Sequence, residues 1–258
     1  MTRRRWIADQ VSGDRAILLG RNAEHLARSL RVRVGQEFEV STGQQVRLGR
    51  VVQVADDRVE LELGDVVSEA GAPKAGAARA KAPHIVVLLS IFKFDRFEWA
   101  IEKVTELGVA EIVPVIARRT DTHLASAAVK RVERWRRIAL EASQQSRRVS
   151  PPEISAPRPL KDALEAVAEI RTADVSVPAL KIVLAENERG LTLKQVVAED
   201  QKSGNLIALA IGPEGGWTDD ELSAFIAAGW TAASLGNTIL RAETAARASL
   251  AVVMSELA

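Results

Sequence analysis

Two apolar stretches, broken only by Ser90 in the first, constrain the fold of this chain more than any other feature. They are "IVVLLSIF" (85–92) and "LIALAI" (206–211). Strands that are apolar at every position are buried on both faces, as in a parallel sheet covered by helices. Helix-like segments separate them from three further strand-like stretches, "EIVPVIA" (111–117), "KIVLA" (181–185) and "AASL" (232–235). The alternation predicts an α/β fold with a mostly parallel sheet.

Two helices are predicted in the first half of this region. In "DRFEWAIEKVTELG", Asp95 and Glu98 have the spacing of a helix-starting capping pair, and Gly108 suits the position just after the helix end. A long basic helix is predicted from about Ser126 to Ser146. In the first of these segments Phe97, Ala100, Ile101, Val104 and Leu107 fall on one helical face.

The first 67 residues have a different pattern. Short β-branched or alternating runs are separated by Gly and Asp turns, which predicts a small β-barrel. The segment that follows, "SEAGAPKAGAARAKAPH", has no large apolar residue and is typical of a linker. We therefore expect a barrel domain at 1–67, a linker at 68–83 and the α/β domain at 84–258.

The composition excludes several kinds of chemistry. The chain has no cysteine, so it has neither disulfides nor thiolate sites, which indicates a cytoplasmic protein. Its three histidines, His25, His84 and His123, are scattered, so we expect no metal site. There is no apolar run of about 18 residues and no secretory signal, so we expect no membrane association.

Basic residues are concentrated in two regions, although the net charge is only +1. Residues 1–35 contain eight arginines and three acids, and residues 118–148 contain nine basic residues and three acids. Such regions are typical of proteins that bind a polyanion. Each region taken alone is equally typical of a solvated, arginine-rich surface.

Three predicted strands are followed by loops that could hold a ligand. "LAENERG" (184–190), "GPEGGWTDDEL" (212–222) and "LGNTILRAETA" (235–245) come after the last three strands. Because parallel strands end at a common edge, these loops should meet where α/β proteins bind ligands.

The middle loop indicates what the ligand could be. Thr218 and Glu221 form a capping box, and Asp219 and Asp220 fill the first helical turn, where they occupy the positive end of the helix dipole. No dinucleotide or P-loop motif is present. The loop therefore favours a ligand that lacks phosphate and has a positive centre; a tight turn without a ligand is the alternative.

The two motifs "IGPEGGWTDDEL" and "LGNTILRAETA", in this order, resemble the signature of the ribosomal small subunit methyltransferase E family, which belongs to the SPOUT superfamily. The stretches 25–40, 93–115 and 141–154 are also similar to that family, so the resemblance covers nearly the whole chain. It implies a C-terminal trefoil knot that binds S-adenosylmethionine, a PUA-like N-terminal barrel that binds RNA, and a homodimer. The implied reaction is methylation of uridine N3 in 16S ribosomal RNA of the small subunit.

The implied reaction needs a cation and a base, the resemblance implies the cofactor-binding residues, and the two basic regions supply the candidates for RNA contacts. Arg241 is the candidate cation for the uracil oxygens, and Glu243 is a candidate base, with water or a purely structural carboxylate as alternatives. The cofactor-binding residues would be Leu184, Ala185, Glu186, Ile211, Gly212, Pro213, Gly215, Gly216, Leu235, Gly236, Ile239 and Leu240. For RNA contacts we expect Arg4, Arg5, Arg21, Arg28, Arg31, Arg119, Arg147 and Arg148.

Two other functions agree with the same pattern. A non-catalytic RNA-binding factor for ribosome assembly would use the basic regions without binding the cofactor. A SPOUT methyltransferase that acts on another RNA, such as transfer RNA, would share the pocket and differ in its target.

Overall fold

The computed structural model describes residues 4–69, 83–169, 179–200 and 206–257. The chain forms two compact units, one of residues 1–81 with 140–151 and the other of residues 82–139 with 152–258. Most of the predicted linker, from residue 70 to 82, lies outside the described residues.

The first unit is built on a six-stranded sheet in the order β1-β4-β5-β6-β3-β2. Its strands are β1 Trp6–Ile7, β2 Gln10–Ser12, β3 Arg15–Leu19, β4 Glu37–Ser41, β5 Gln45–Val54 and β6 Arg58–Glu69. Apart from the parallel β1–β4 pair, neighbouring strands are antiparallel. Helix α1, Gly20–Glu24, continues into a π-helical turn, His25–Ser29.

This sheet curls because one short stretch of chain borders both of its ends. Ala8 N–H donates to Ser41 O of β4 at 2.9 Å, and the next amide, that of Asp9, donates to Ile17 O of β3 at 3.0 Å. The curled sheet encloses an apolar core that includes Trp6, Leu18 and Leu61. Its identity as a PUA-like barrel stays a prediction, as does the trefoil knot of the C-terminal region.

Residues 140–151 belong to this first unit, although the sequence division assigned them to 84–258. The Arg5 amide donates to Gln144 O at 3.1 Å, and the Ser41 hydroxyl donates to Val149 O. The Arg147 guanidinium binds Glu39 of β4 at 2.6 Å. Helical periodicity shows that a segment is a helix, but it does not show which neighbour the segment packs against.

The second unit has a seven-stranded sheet in which every pair is parallel, as the apolar runs predicted. The order is β10-β8-β7-β12-β11-β13, and β9 pairs with β8. The strands are β7 His84–Ser90, β8 Glu111–Ile116, β9 Glu153–Ile154, β10 Arg158–Pro159, β11 Leu180–Leu184, β12 Leu206–Ile211 and β13 Thr231–Ala233.

Helices cover both faces of this sheet, which explains why β12 is apolar at every position and β7 is apolar from Ile85 to Leu89. The helices are α2 Phe94–Glu106, α3 Thr122–Ala128, α4 Val132–Gln145, α5 Leu160–Glu169, α6 Leu193–Glu199, α7 Asp219–Ala227 and α8 Ala242–Glu256. Along β7, Ile85 and Val87 join one buried cluster with α2 and α8, and Val86 and Leu88 join the other with α5 and α7.

Two helix predictions are wrong in detail. The long basic helix is broken into α3, a 3-10 turn at Val129–Arg131 and α4. Helix α2 begins at Phe94 with Lys93 as its N-cap and no side-chain cap, so Asp95 and Glu98 do not form a capping box. The Glu98 carboxylate is instead held by the guanidinium groups of Arg131 and Arg134, at 3.0 and 2.8 Å.

The end of α2 is as predicted. Gly108 follows the C-cap with φ of 102°, a left-handed conformation that glycine adopts without strain. Within the described ranges, no helix is both long and apolar enough to cross a membrane.

Candidate functional site

A cavity of about 470 Å³ lies where the loops after β11, β12 and β13 meet, as the parallel topology predicts. Eleven of the twelve residues proposed for cofactor binding line it, and Gly215 is the one that does not. Leu184, Ile211, Pro213 and Leu240 supply apolar surface, while Glu186, Glu214 and Asp219 supply carboxylates. A cavity of this size and mixed lining is typical of a small-molecule site.

The glycine loop of this cavity is held by an arginine. Gly216 N–H donates to Pro213 O at 2.9 Å, and Gly216 has φ of 69°, a conformation that side chains rarely adopt. Arg119 Nη1 donates to Gly215 O at 2.6 Å and lies 3.3 Å from Trp217 O. Arg119 was proposed to contact RNA, but here its guanidinium is directed at the backbone of the loop.

The capping box that follows the glycine loop is confirmed. Thr218 Oγ1 accepts from Glu221 N–H, and Glu221 Oε2 accepts from Thr218 N–H at 2.8 Å. The second oxygen, Glu221 Oε1, accepts from Arg118 N–H at 2.7 Å. The buried Glu221 carboxylate therefore fixes both the start of α7 and the chain just after β8. With Asp219 and Asp220 also in the first turn, the positive end of the α7 dipole is already satisfied.

Arg96, near the start of α2, lines the cavity and was missed by the sequence interpretation. Its Nη1 lies 3.3 Å from Glu214 Oε1, and its Nε lies 3.8 Å from Glu243 Oε1. Arg96 thus joins the glycine loop to the first turn of α8. These partners are 118 and 147 residues away in sequence. Nothing in the local sequence around Arg96, "KFDRFEW", indicates that its side chain would pair with these two carboxylates.

The two residues proposed for catalysis occupy different positions. Arg241 is the N-cap of α8 and lines the cavity. Glu243 does not line it; its side chain is only 10% exposed and faces Arg96. Glu243 Oε2 is buried and has no hydrogen-bond partner within the described part of the chain. An unpaired carboxylate oxygen in a buried position is costly, which is characteristic of a functional group.

Five of the arginines proposed for RNA contacts lie near the start of the first unit. Arg5 is held by Glu39 at 3.0 Å, and Arg28 lies 3.5 Å from Asp56. Arg21 is exposed and lies 3.7 Å from Glu141. Arg31 is exposed and has φ of 49°. Arg4 donates to the Gln144 side chain.

The remaining two, Arg147 and Arg148, follow α4 in the same unit. Hydrogen bonds from Arg147, and then from Arg5, hold the pKa of Glu39 below its ordinary value although burial raises it. Burial lowers the pKa of Arg148 to about 10. Arg5 and Arg147 thus share one carboxylate and are less available to phosphate, whereas Arg21 and Arg31 are exposed.

The family model described as "RNA methyltransferase domain" matches residues 80–254. These residues contain the parallel sheet, its cavity and the acid-capped glycine loop. The class of protein is therefore that of the RNA methyltransferases. The ribosomal RNA small subunit methyltransferase E of Mycobacterium bovis is 30% identical over 253 residues, which cover 94% of this chain and 87% of that protein. The Synechocystis protein of the same name is 38% identical over 66% of this chain, and the match spans only 52% of its own length.

Solved structures agree with these sequence matches. A crystal structure of ribosomal RNA small subunit methyltransferase E from Neisseria gonorrhoeae, bound to S-adenosyl methionine, has a TM-score of 0.77 and 26% identity. The match covers 98% of this chain and 97% of that one. The chain belongs to the ribosomal RNA small subunit methyltransferase E family.

Proposed function

We propose that this protein binds S-adenosylmethionine in the cavity beyond β11, β12 and β13 and methylates N3 of a uridine in 16S ribosomal RNA of the small subunit. The observation that carries the proposal is the convergence of the three predicted loops on one cavity, in a fold shared along its whole length with a methyltransferase that binds this cofactor. The proposed roles are a PUA-like barrel for RNA and a knotted C-terminal domain for the cofactor.

The residues of the cavity fit this cofactor. The carboxylates of Glu186, Glu214 and Asp219 suit a ligand with ammonium and sulfonium charges, and the occupied dipole of α7 leaves no site for a phosphate. Apolar residues such as Leu184 and Leu240 suit the adenine ring. When bound, the cofactor supplies an electrophilic methyl group.

The chain's own residues would then prepare the uridine. The N3–H proton must leave, and negative charge develops on the uracil oxygens as it does so. Arg241 lines the cavity and would stabilise that charge. Glu243 does not line the cavity, so its unpaired Oε2 would accept the proton through a bound water, with water alone as the alternative base. Positioning of the two reactants contributes further to the rate.

A homodimer is part of this proposal. The dimer is what the family resemblance implies, and Ile239, which is 76% exposed on the third loop of the cavity, is a side chain that a second subunit would cover. Light scattering of the purified protein should give twice the chain mass of 27.9 kDa. A cytoplasmic location is proposed from the cysteine-free sequence.

Two measurements test the function. Calorimetric titration should show that the folded protein binds S-adenosylmethionine; RNA affinity without cofactor binding would favour the assembly factor instead. Small subunits that lack the modification should then be incubated with the protein and labelled cofactor, and their nucleosides analysed. We expect the label in N3-methyluridine from 16S RNA. Label in another nucleoside, or only in transfer RNA, contradicts the proposed reaction.

A further inference from the structure

The first unit contains a polar recess that is separate from the proposed cofactor site and includes Arg4 and Arg21, two of the arginines expected to contact RNA. Its volume is about 470 Å³. Arg4 lines it, together with five hydrogen-bonding side chains from α1, from the π-helical turn that follows α1 and from the end of α4. The other five are Arg21, Asn22, His25, Glu141 and Gln145. We call this set the recess.

Two side chains of the recess, Arg4 and His25, lie against the ring of Trp6. The Arg4 guanidinium lies over the Trp6 ring at 5.1 Å, and the Trp6 ring is 5.9 Å from the His25 ring. Trp6 is buried in the core of the curled sheet, so it holds both of its neighbours in place. A cation on an aromatic face is attracted to it, which further orients Arg4.

A buried amide also orients Arg4. Its Nη2 donates to Gln144 Oε1, and Gln144 Nε2 donates to Asn22 Oδ1 at 3.3 Å. Arg4 Nε is buried and has no hydrogen-bond partner among the residues that the structure describes. Burial lowers the pKa of Arg4, and Glu141 opposes that effect. The charge of Arg4 is therefore only partly compensated by the protein.

The recess combines two kinds of chemistry at a short distance. Arg4 and the exposed Arg21 provide positive charge for a phosphate. Glu141 and Gln145 provide groups that can pair with a base edge, and the exposed imidazole of His25 provides a ring on which a base can stack. A cavity of about 470 Å³ is large enough to enclose one nucleotide and too small for a duplex.

We propose that the recess formed by Arg4, Arg21, Asn22, His25, Glu141 and Gln145 binds one unstacked nucleotide of single-stranded RNA. This inference rests on the proposed function, which supplies RNA as the substrate. It adds to the general basic surface a site at which one nucleotide is recognised by its phosphate and its base together.

The test uses a fluorescein-labelled eight-nucleotide single-stranded RNA and anisotropy at several salt concentrations, with the full chain. Arg21→Met removes a recess cation, and Gln145→Ala removes a neutral recess group. Both side chains are exposed, so neither variant should unfold the protein. The matched control is Arg50→Met, which removes an exposed cation of the same unit outside the recess.

We expect Arg21→Met to raise Kd about tenfold and to lower the slope of log K against log salt by about one, because one phosphate contact is lost. Gln145→Ala should raise Kd about threefold with the slope unchanged, since base contacts carry no counterion release. Arg50→Met should stay within about twofold of the unaltered protein.

Equal effects of Arg21→Met and Arg50→Met, or no effect of Gln145→Ala, would overturn the recess and leave only a general basic surface. Competition by a phosphoserine peptide as strong as that by unlabelled RNA would overturn it too. Titration with S-adenosylmethionine distinguishes a failure of the recess proposal from a failure of the proposed function. If the unaltered protein binds cofactor and methylates small subunits, the function stands even when the recess fails.

Discussion

The Glu221 carboxylate gives a quantitative prediction, because it accepts hydrogen bonds from two backbone amides on different parts of the second unit. Glu221→Ala removes the acceptors of Thr218 N–H and Arg118 N–H, now at 2.8 and 2.7 Å. A buried amide left without an acceptor costs about 1–3 kcal/mol. Both bonds are part-buried, so water partly solvates the freed amides, and their loss together should lower the free energy of unfolding by about 3 kcal/mol.

Two neighbours on the same turn serve as graded controls. Thr218→Ala removes one N-cap bond and should cost about 1 kcal/mol. Asp220→Ala removes only an exposed charge near the helix dipole and should cost about 0.3–1 kcal/mol. The predicted loss in the free energy of unfolding is therefore much larger for Glu221→Ala than for Thr218→Ala, and at least as large for Thr218→Ala as for Asp220→Ala.

Calorimetric melting measures this order directly. For a unit of this size each kcal/mol shifts Tm by about 2–4 °C, so we expect a loss of about 6–12 °C for Glu221→Ala and about 2–4 °C for Thr218→Ala. The Glu221→Ala variant should also bind cofactor less tightly, since the glycine loop adjoins the lost bonds. If Glu221→Ala melts within 2 °C of Thr218→Ala, the two-amide account is refuted.

Three more predictions follow from the same unit. Gly215→Val should weaken cofactor binding at least tenfold in a calorimetric titration while the circular dichroism spectrum stays native. A side chain at this position would meet Arg119, because Arg119 Cδ is 3.3 Å from the place of a Cβ there. Unchanged affinity would show that the glycine loop is not part of the cofactor site. Arg96→Met should lower the rate at saturating cofactor at least tenfold, and if Glu243 acts only through Arg96, adding Glu243→Gln should cost nothing more; a further drop assigns Glu243 a role of its own. Burial raises the pKa of Glu98, but hydrogen bonds from two arginines outweigh burial, and the net pKa lies below the ordinary 4.5. The stabilisation from the Glu98 carboxylate is therefore present above pH 4.5 and lost as the pH falls further. Between pH 5 and pH 3 the Tm of Glu98→Gln should fall less than that of the unaltered protein, and equal falls would contradict this.

The sheet and the position of the cavity could be predicted because both follow from local patterns. A strand such as Leu206–Ile211 is apolar at every position only when both of its faces are covered, and parallel strands bring their following loops to one edge. The α7 capping box depends on residues three apart, Thr218 and Glu221, and was equally readable.

Pairings between distant segments could not be predicted in the same way. Arg96 meets Glu214 and Glu243 only because α2 and α8 pack on one face of the sheet. Arg119 belongs to a basic run typical of an RNA surface, yet its guanidinium binds the glycine loop. A charge pattern shows how many cations a segment has, whereas the fold determines which of them are already paired.

The assignment of residues 140–151 to the first unit has a consequence for how this protein can be divided. Neither unit is a continuous piece of chain, so no single cut yields two intact parts. A fragment of residues 84–258 would carry Ser143 and Gln144, which are fully buried in the whole protein, without the strands that cover them. Any exchange of the curled sheet between relatives must therefore transfer the end of α4 with it, because a cut after β6 alone would separate Ser143 and Gln144 from the strands that cover them.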